Sequence, residues 1–254
     1  MRVLLSNDDG VHAAGLRALV EAFDGDEVWV CAPDREQSAS SHAISLHRPL
    51  RLHTLGPRRH AVDGTPTDAV HLGLNLLLRG SPPDVVVSGV NHGPNLAGDV
   101  HYSGTVAAAK EGALLGVPAI AVSLASPPPQ DFGAAARFAA ALARALHASR
   151  PRAPILLNVN VPPGPVRGWR PARLGRRSYG DQVTEKTDPR GRPYFWIGGE
   201  GAPVDDDIPG SDCNAVFREG LVAVTPLLLD GTDQRALADL GRLAPADYAR
   251  EPGP

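Results

Sequence analysis

Cysteine is scarce in this chain: Cys31 and Cys213 are far apart in 254 residues and share no C-x-x-C or other framework spacing. That excludes a disulfide scaffold and fits a reducing compartment, with a single bridge between the two left open. No apolar run approaches the ~18 residues that a membrane helix needs. The opening "MRVLLSNDDG" lacks the long apolar core of a secretory signal and reads as a strand. Charge of one sign is also missing, since 25 Lys and Arg face 28 Asp and Glu for a net −3. No basic surface advertises nucleic acid, and no acidic tract suggests disorder. No internal repeat is present. These absences describe a soluble, cytoplasmic protein with neither membrane association nor stable nucleic-acid binding. What remains is 43% apolar content, enough for one generous domain or two small ones.

The first part of the chain alternates strand-like and helix-like segments. Arg2 to Ser6 is a short apolar run, and Leu16, Leu19, Val20 and Phe23 follow at helical spacing as one buried face. "EVWVCAP" (27–33) is the next strand, stopped by Pro33. "HAISLHRPLRLHTL" (42–55) alternates apolar and polar residues, as in an extended excursion or a hairpin. Residues 66–78 resume a helical pattern with Pro66 suited to the first turn. "DVVVSGV" (84–90) is β-branched and unbroken, as a central parallel strand should be. "GTVAAAKEGALLG" (104–116) is an alanine-rich helix closed by Gly116, and "VPAIAVSL" (117–124) another buried strand. A long helix from Asp131 to about Ala148 precedes the strand "PILLNVNV" (154–161). Strands alternating with helices predict an α/β fold, a Rossmann-like, doubly wound, mostly parallel sheet in three layers.

The character changes after "PPGP" (162–165). The turn signal Asp188-Pro-Arg-Gly191 separates two runs that suit a hairpin, and Asp205, Asp206 and Asp207 with Pro209 and Gly210 read as a solvated loop. "LVAVTPLLL" (221–229) is a last strand, followed by a short helix. We therefore expect a core over 1–165 and an extension of hairpin, strand and helix over 166–254. The extension is suited to substrate cover or oligomer contacts.

Ligands of open parallel sheets bind outside the carboxyl ends of the strands. Four polar loops fall there: Asn7, Asp8 and Asp9; "EQSASSH" (36–42) after Asp34; "NHGPN" (91–95); and "HYSGT" (101–105). Asp8 and Asp9 repel each other at the end of an apolar strand. Gly10 permits a sharp turn that aims both at one point, where a divalent cation would neutralise them within a shell of hard oxygen donors. That favours magnesium, manganese or calcium over zinc, since no His or Cys ligand spacing accompanies the acids. A helix cap from Asn7 or Asp9 explains one acid and leaves the other without a reason. Ser103, Gly104 and Thr105 open a helix, an ordinary N-cap when read alone. Beside a two-carboxylate metal site, they suggest a phosphate held between cation and helix terminus. Asp68 fits dipole stabilisation of its helix better than catalysis, and Lys110 suits a surface role. His12, His42, His92 and His101 all lie on or near these loops, and sequence alone does not single out a proton donor among them. Gly89 and Gly93 fit close backbone turns better than ligand contacts.

With these residues assembled, the chain resembles the SurE family of survival-protein nucleotidases. The resemblance rests on "LLSNDDG" (4–10), "APDREQSAS" (32–40), "GTPTD" (64–68), "VVSGVNHGPN" (86–95) and "YSGTVAAAKEG" (102–112), and continues through "NVNVP" (158–162) and "EGLVAVTPLLLD" (219–230). It implies a metal-dependent phosphatase releasing phosphate from nucleoside 5′- and 3′-monophosphates. By motif position it implies metal ligation by Asp8, Asp9, Ser38 and Asn91, with one divalent cation, Mn2+ or Mg2+. Asn95, Ser103, Gly104 and Thr105 fall in the loops that neighbour the phosphate. Ser40 and Ser41 are nearby hydroxyls, so Ser38 rests on the alignment. The resemblance also implies a C-terminal extension that helps to form a homodimer or homotetramer.

The mechanism expected is attack on phosphorus by metal-activated water, with Asp8 and Asp9 as the catalytic pair. A phospho-receiver domain is the signalling alternative, but it needs an acceptor aspartate ending a central strand. Here Asp84 begins that strand and Ser88 and Asn91 finish it. An aspartyl nucleophile would normally show acids in a D-x-D pattern. A non-catalytic nucleotide-binding module would not need the acid pair.

Overall fold

A computed structural model describes residues 1–128, 130–177, 183–197 and 208–240. The chain begins with β1 (Arg2–Ser6), α1 (Ala14–Ala22), β2 (Glu27–Pro33), β3 (Leu52–Gly56), β4 (Arg59–Val62) and α2 (Pro66–Leu72). Then come β5 (Val85–His92), α3 (Gly104–Leu114), β6 (Ala119–Leu124), α4 (Gly133–Ser149) and β7 (Leu156–Val161). The remainder supplies β8 (Trp169–Pro171), β9 (Val183–Thr187), β10 (Pro193–Ile197), the short α5 (Asp212–Asn214), β11 (Val222–Leu227) and α6 (Gln234–Leu240). One sheet of nine strands runs in the order β3-β4-β2-β1-β5-β6-β7-β11-β8, and β9 with β10 forms a separate hairpin. The central strands β4, β2, β1, β5, β6 and β7 are mutually parallel, whereas β3 and β11 run antiparallel to their neighbours β4 and β7. The fold is thus the α/β, mostly parallel, three-layer architecture expected.

The pleat sorts the apolar residues into two cores. Val3 and Leu5 of β1 with Val85 and Val87 of β5 face α1 and α4, packing on Leu16, Leu19, Phe23 and the alanines of α4. Leu4 and Val86 point the other way, to Ala69 and Val70 of α2 and Val106, Ala108 and Ala109 of α3. Strands buried on both faces need apolar residues at every position, which is why these runs show no alternation. A smaller third cluster joins Leu96 and Ala97 to Cys213, Ala215, Val216 and Ala223, fastening part of the extension to the core. Both cysteines are free and buried. Among the described residues, no helix is long and apolar enough to cross a membrane.

Some expectations need correction. Val20 was placed on the buried face of α1, yet it is exposed. The face is narrower, carried by Leu16 and Leu19 with Phe23 just past the helix end. The helix expected over 66–78 ends at Leu72 and continues as a wider π turn over Gly73–Leu77. There the backbone comes so close to β1 that a Cβ on Gly73 would lie 2.9 Å from the Leu4 side chain. The extended stretch 42–55 contributes only the edge strand β3, and its partner β4, "RHAV", carries no alternation to reveal it. The hairpin around Asp188 to Gly191 forms as expected. Asp205, Asp206 and Asp207 lie outside the described residues.

β1 connects leftward to β2 while β5 connects rightward to β6, so the strand order reverses between β1 and β5. The crevice beyond their carboxyl ends is where an open α/β sheet admits a ligand. Packing of α1 against β5 sets one wall: a Cβ on Gly15 would fall 2.0 Å from the Val90 carbonyl oxygen. Gly15→Ala is therefore expected to cost about 2 kcal/mol or more of stability, through displacement of α1. Urea unfolding would check this, and an unchanged midpoint would refute the close approach.

Candidate active site

The loop after β1 turns sharply at Gly10, whose φ of +99° is open to glycine and strained for other residues. Asn7 stiffens the turn by donating its amide to the Gly10 carbonyl at 2.9 Å. Asp8 and Asp9 then enter a cavity of about 810 Å³, lined also by Glu36, Ser38, Asn91, His92, Asn95, Asp99, Tyr102, Ser103 and Ile197. Of the eight residues singled out from sequence, six line this one space: Asp8, Asp9, Ser38, Asn91, Asn95 and Ser103. Thr105 stands behind it, fully buried, and donates its hydroxyl to Asp8 Oδ1. Gly104 is required by crowding, because a Cβ there would lie 2.8 Å from both Asp8 Cβ and Ser40 Oγ.

The electrostatics of the acid pair follow from its burial. Removal from water pushes the Asp8 carboxyl above its ordinary range, and the Thr105 hydroxyl works against that shift. Asp9 is pushed up to about 7, first by burial and then by the neighbouring Asp8 charge. Asp9 Oδ2 is buried with no hydrogen-bond partner, and Asp9 Oδ1 lies 3.7 Å from His92 Nδ1. The His92 ring stacks on Phe132 with centroids 4.8 Å apart.

Asn91 donates its amide to the Gly93 carbonyl at 2.8 Å, which leaves its Oδ1 to accept from or bind a ligand. Asn95 is held from below. Its backbone N–H donates to Asn160 Oδ1 at 2.8 Å, and its carbonyl accepts from Asn158 and Asn160 at 2.8 and 3.0 Å. Its side-chain amide donates to Ser123 Oγ at 2.8 Å. Ser103 caps α3, its Oγ accepting from the Val106 N–H at 3.1 Å. The first N–H groups of α3 open beside Asp8, a place suited to an anion.

A divalent cation fits this donor set. Two carboxylates, a hydroxyl and an amide oxygen are all hard donors, and an unpartnered buried carboxylate oxygen is a site wanting positive charge. No group of three or more His, Cys, Asp or Glu that would hold a metal occurs among the described residues.

Sequence reasoning missed Glu36, Asp99 and Tyr102, which line the same cavity. It also missed the support beneath Asn95. The signal for that support was present, as Asn158 and Asn160 recur with period two inside an otherwise apolar strand. Of the four loop histidines, only His92 lines the cavity; His42 is bound elsewhere, His12 is exposed, and His101 faces a different hollow.

Comparison with known proteins places the site in context. The model of the family described as Survival protein SurE matches residues 3–181. The chain is 74% identical over its full length, and that of the relative, to the 5′-nucleotidase SurE of Anaeromyxobacter dehalogenans (strain 2CP-C). It is 58% identical to the 5′-nucleotidase SurE of Myxococcus xanthus (strain DK1622) over 94% of this chain and 92% of the relative. The crystal structure of the SurE protein from Aquifex aeolicus superimposes with a TM-score of 0.83 at 36% identity, covering 94% of this chain and 98% of that one.

The raised Asp9 carboxyl makes the metal-free protein lose stability as pH rises from about 4 to 7. Over that range the unfolded acid is ionised while the folded one retains its proton. In chelator, Asp9→Asn should melt above the unsubstituted protein, with the gap wider at pH 8 than at pH 5. Calorimetry at both values checks this, and a gap independent of pH would show that Asp9 is not strained by burial.

Proposed function

This chain belongs to the SurE family, and from that premise we propose how its own residues divide the work of a nucleotidase. The protein is a 5′-nucleotidase, a phosphatase that cleaves the phosphate ester of a nucleotide, and SurE nucleotidases are metal-dependent. The finer reading is hydrolysis of nucleoside 5′- and 3′-monophosphates to nucleoside and phosphate with one divalent cation, Mn2+ or Mg2+. Asp8, Asp9, Ser38 and Asn91 would hold that cation. When bound, it offsets charge on the phosphoryl oxygens and lowers the pKa of water.

The residues of the chain do the rest by position. Ser103 and the opening N–H groups of α3 would face the phosphoryl oxygens, with Asn95 lining the same cavity. Fixed dipoles of this kind stabilise developing negative charge without reorganising during the reaction. Gly104 lets the helix terminus approach because no side chain stands between backbone and Asp8. Thr105 holds Asp8 by Oδ1, so the other oxygen keeps a fixed direction. Asp9 Oδ2, with no protein partner, would be the oxygen this acid gives to the cation. Tyr102, largely exposed at the rim, and Ile197 offer apolar surface to the nucleoside.

The single observation that supports this reading is the meeting of an acid pair, one of whose buried oxygens has no partner, with the N-terminus of α3 at the switch point of the sheet. The core over 1–165 carries every residue named as a ligand. The extension over 166–254 lends Ile197 to the cavity rim and the exposed hairpin β9–β10, whose Tyr194, Phe195 and Trp196 suit contacts in a homodimer or homotetramer. A reducing, cytoplasmic setting agrees with two free buried cysteines.

The test is phosphate release from a panel of nucleoside monophosphates with manganese, magnesium or chelator. Release with manganese and its loss in chelator are expected. Asp8→Asn and Asp9→Asn should each lower kcat by about a thousandfold or more, while Thr105→Val should cost about ten- to a hundredfold. A fully active Asp9→Asn protein would refute the assignment.

A further inference from the structure

One buried acid takes no part in the reaction just described. Glu111 lies on α3, about two turns beyond Ser103, and is buried. Both of its oxygens are engaged: His42 Nε2 donates to Oε2 at 3.0 Å, and His71 Nδ1 to Oε1 at 2.8 Å. The His42 hydrogen bond, helped by His71 and opposed by burial, holds the Glu111 carboxyl below the usual carboxylate range. The three groups come from three places, namely the end of the 36–42 loop, α2 and the body of α3.

The loop they secure has reason to need securing. Ala39 and Ser41 sit at φ of 55° and 52°, in the left-handed region that residues with a Cβ rarely adopt. Glu36, Ser38 and Ala39 are exposed, so little apolar packing holds the loop down. Its backbone is pinned at Gln37, whose N–H donates to the Asp8 carbonyl at 2.8 Å. At the other end, the Ser41 N–H donates to the Tyr102 carbonyl at 3.0 Å, and its hydroxyl to that of His101 at 2.8 Å. Those bonds reach the segment before α3. The His42–Glu111 contact reaches the helix itself.

We propose that Glu111 and His42 are positioning residues, a bracket that fastens the Ser38-bearing loop to the helix whose N-terminus carries Ser103 and Thr105. The loop on the cation side and the helix terminus on the phosphate side are thereby held as one body. His71 completes the bracket by fixing the second oxygen of Glu111, so that the first is aimed at the loop. The proposal rests on the reading of Ser38 and Ser103 given above.

Amide hydrogen exchange of the metal-free protein and calorimetric titration with manganese alone test it together. In His42→Ala, exchange at residues 37–42 should rise by about tenfold, and manganese should bind about tenfold more weakly, with the thermal midpoint moved by only a few degrees. His42→Asn, which retains a donor, should recover part of both losses. Glu111→Gln keeps the shape of the buried side chain and should show the same pair of changes. Unchanged exchange in His42→Ala overturns the bracket, as does faster exchange spread through α3, which marks a purely structural contact. Faster loop exchange with unchanged manganese binding overturns the coupling to the cation side. Failure of the functional reading shows differently, as absence of manganese-dependent phosphate release from the unsubstituted protein.

Discussion

Two like charges forced into the same buried corner are the constraint around which this molecule is arranged. Asp8 and Asp9 follow directly from a strand that is apolar on both faces, so the chain has no freedom to carry them out to water. Burial is the first cause that raises both carboxyls, and the Asp8 charge then raises Asp9 further. Such an arrangement persists only where the surrounding structure over-determines it. Here the surroundings are Gly10, which makes the turn, Asn7, which locks it, and Thr105, which neutralises part of the cost at Asp8. The remaining deficit, an unpartnered Asp9 oxygen, is an affinity for positive charge.

From that corner outward, α3 is the element on which the site depends most. Its N-cap Ser103 lines the cavity and its second residue holds Asp8, while Glu111 in its body contacts His42 at the end of the 36–42 loop. The helix is nearly all small residues because it is enclosed by sheet, α2 and loop together. Gly112 approaches β5 so closely that a Cβ would lie 2.7 Å from the Val86 side chain. A helix seated this tightly can serve as a fixed reference for two loops, which is what electrostatic catalysis of phosphate transfer requires.

Much of this was legible in the sequence because the informative signals were local. Unbroken β-branched runs marked the buried strands, and polar residues with glycine at their carboxyl ends marked the loops of the site. The five motif blocks then narrowed the family. What could not be read depends on contacts between distant segments. β4 has four residues and no alternation, and it exists because β2 offers it an edge. Val20 fits the helical period, but the buried face of α1 is confined to Gly15, Leu16 and Leu19. The grip of Glu111 on His42 joins positions 69 residues apart, and nothing in either local pattern announces it. Asp99 and Tyr102 reach the cavity through a short 3-10 turn, whose geometry has no clear sequence period.

The extension also acts on the site without touching its acids. β11 pairs antiparallel with β7, bringing Thr225 opposite Asn158 and Ala223 opposite Asn160. Without β11, β7 would be an edge strand with its backbone open to water. Asn158 and Asn160 are fully buried, and it is this dry setting that makes their bonds to Asn95 strong enough to fix a loop. An asparagine amide in contact with water would exchange partners freely and leave the wall at Asn95 loose. A strand contributed from beyond residue 166 therefore helps to set the precision of a wall built from residues before it, and the two parts of the chain form one mechanical unit at β7.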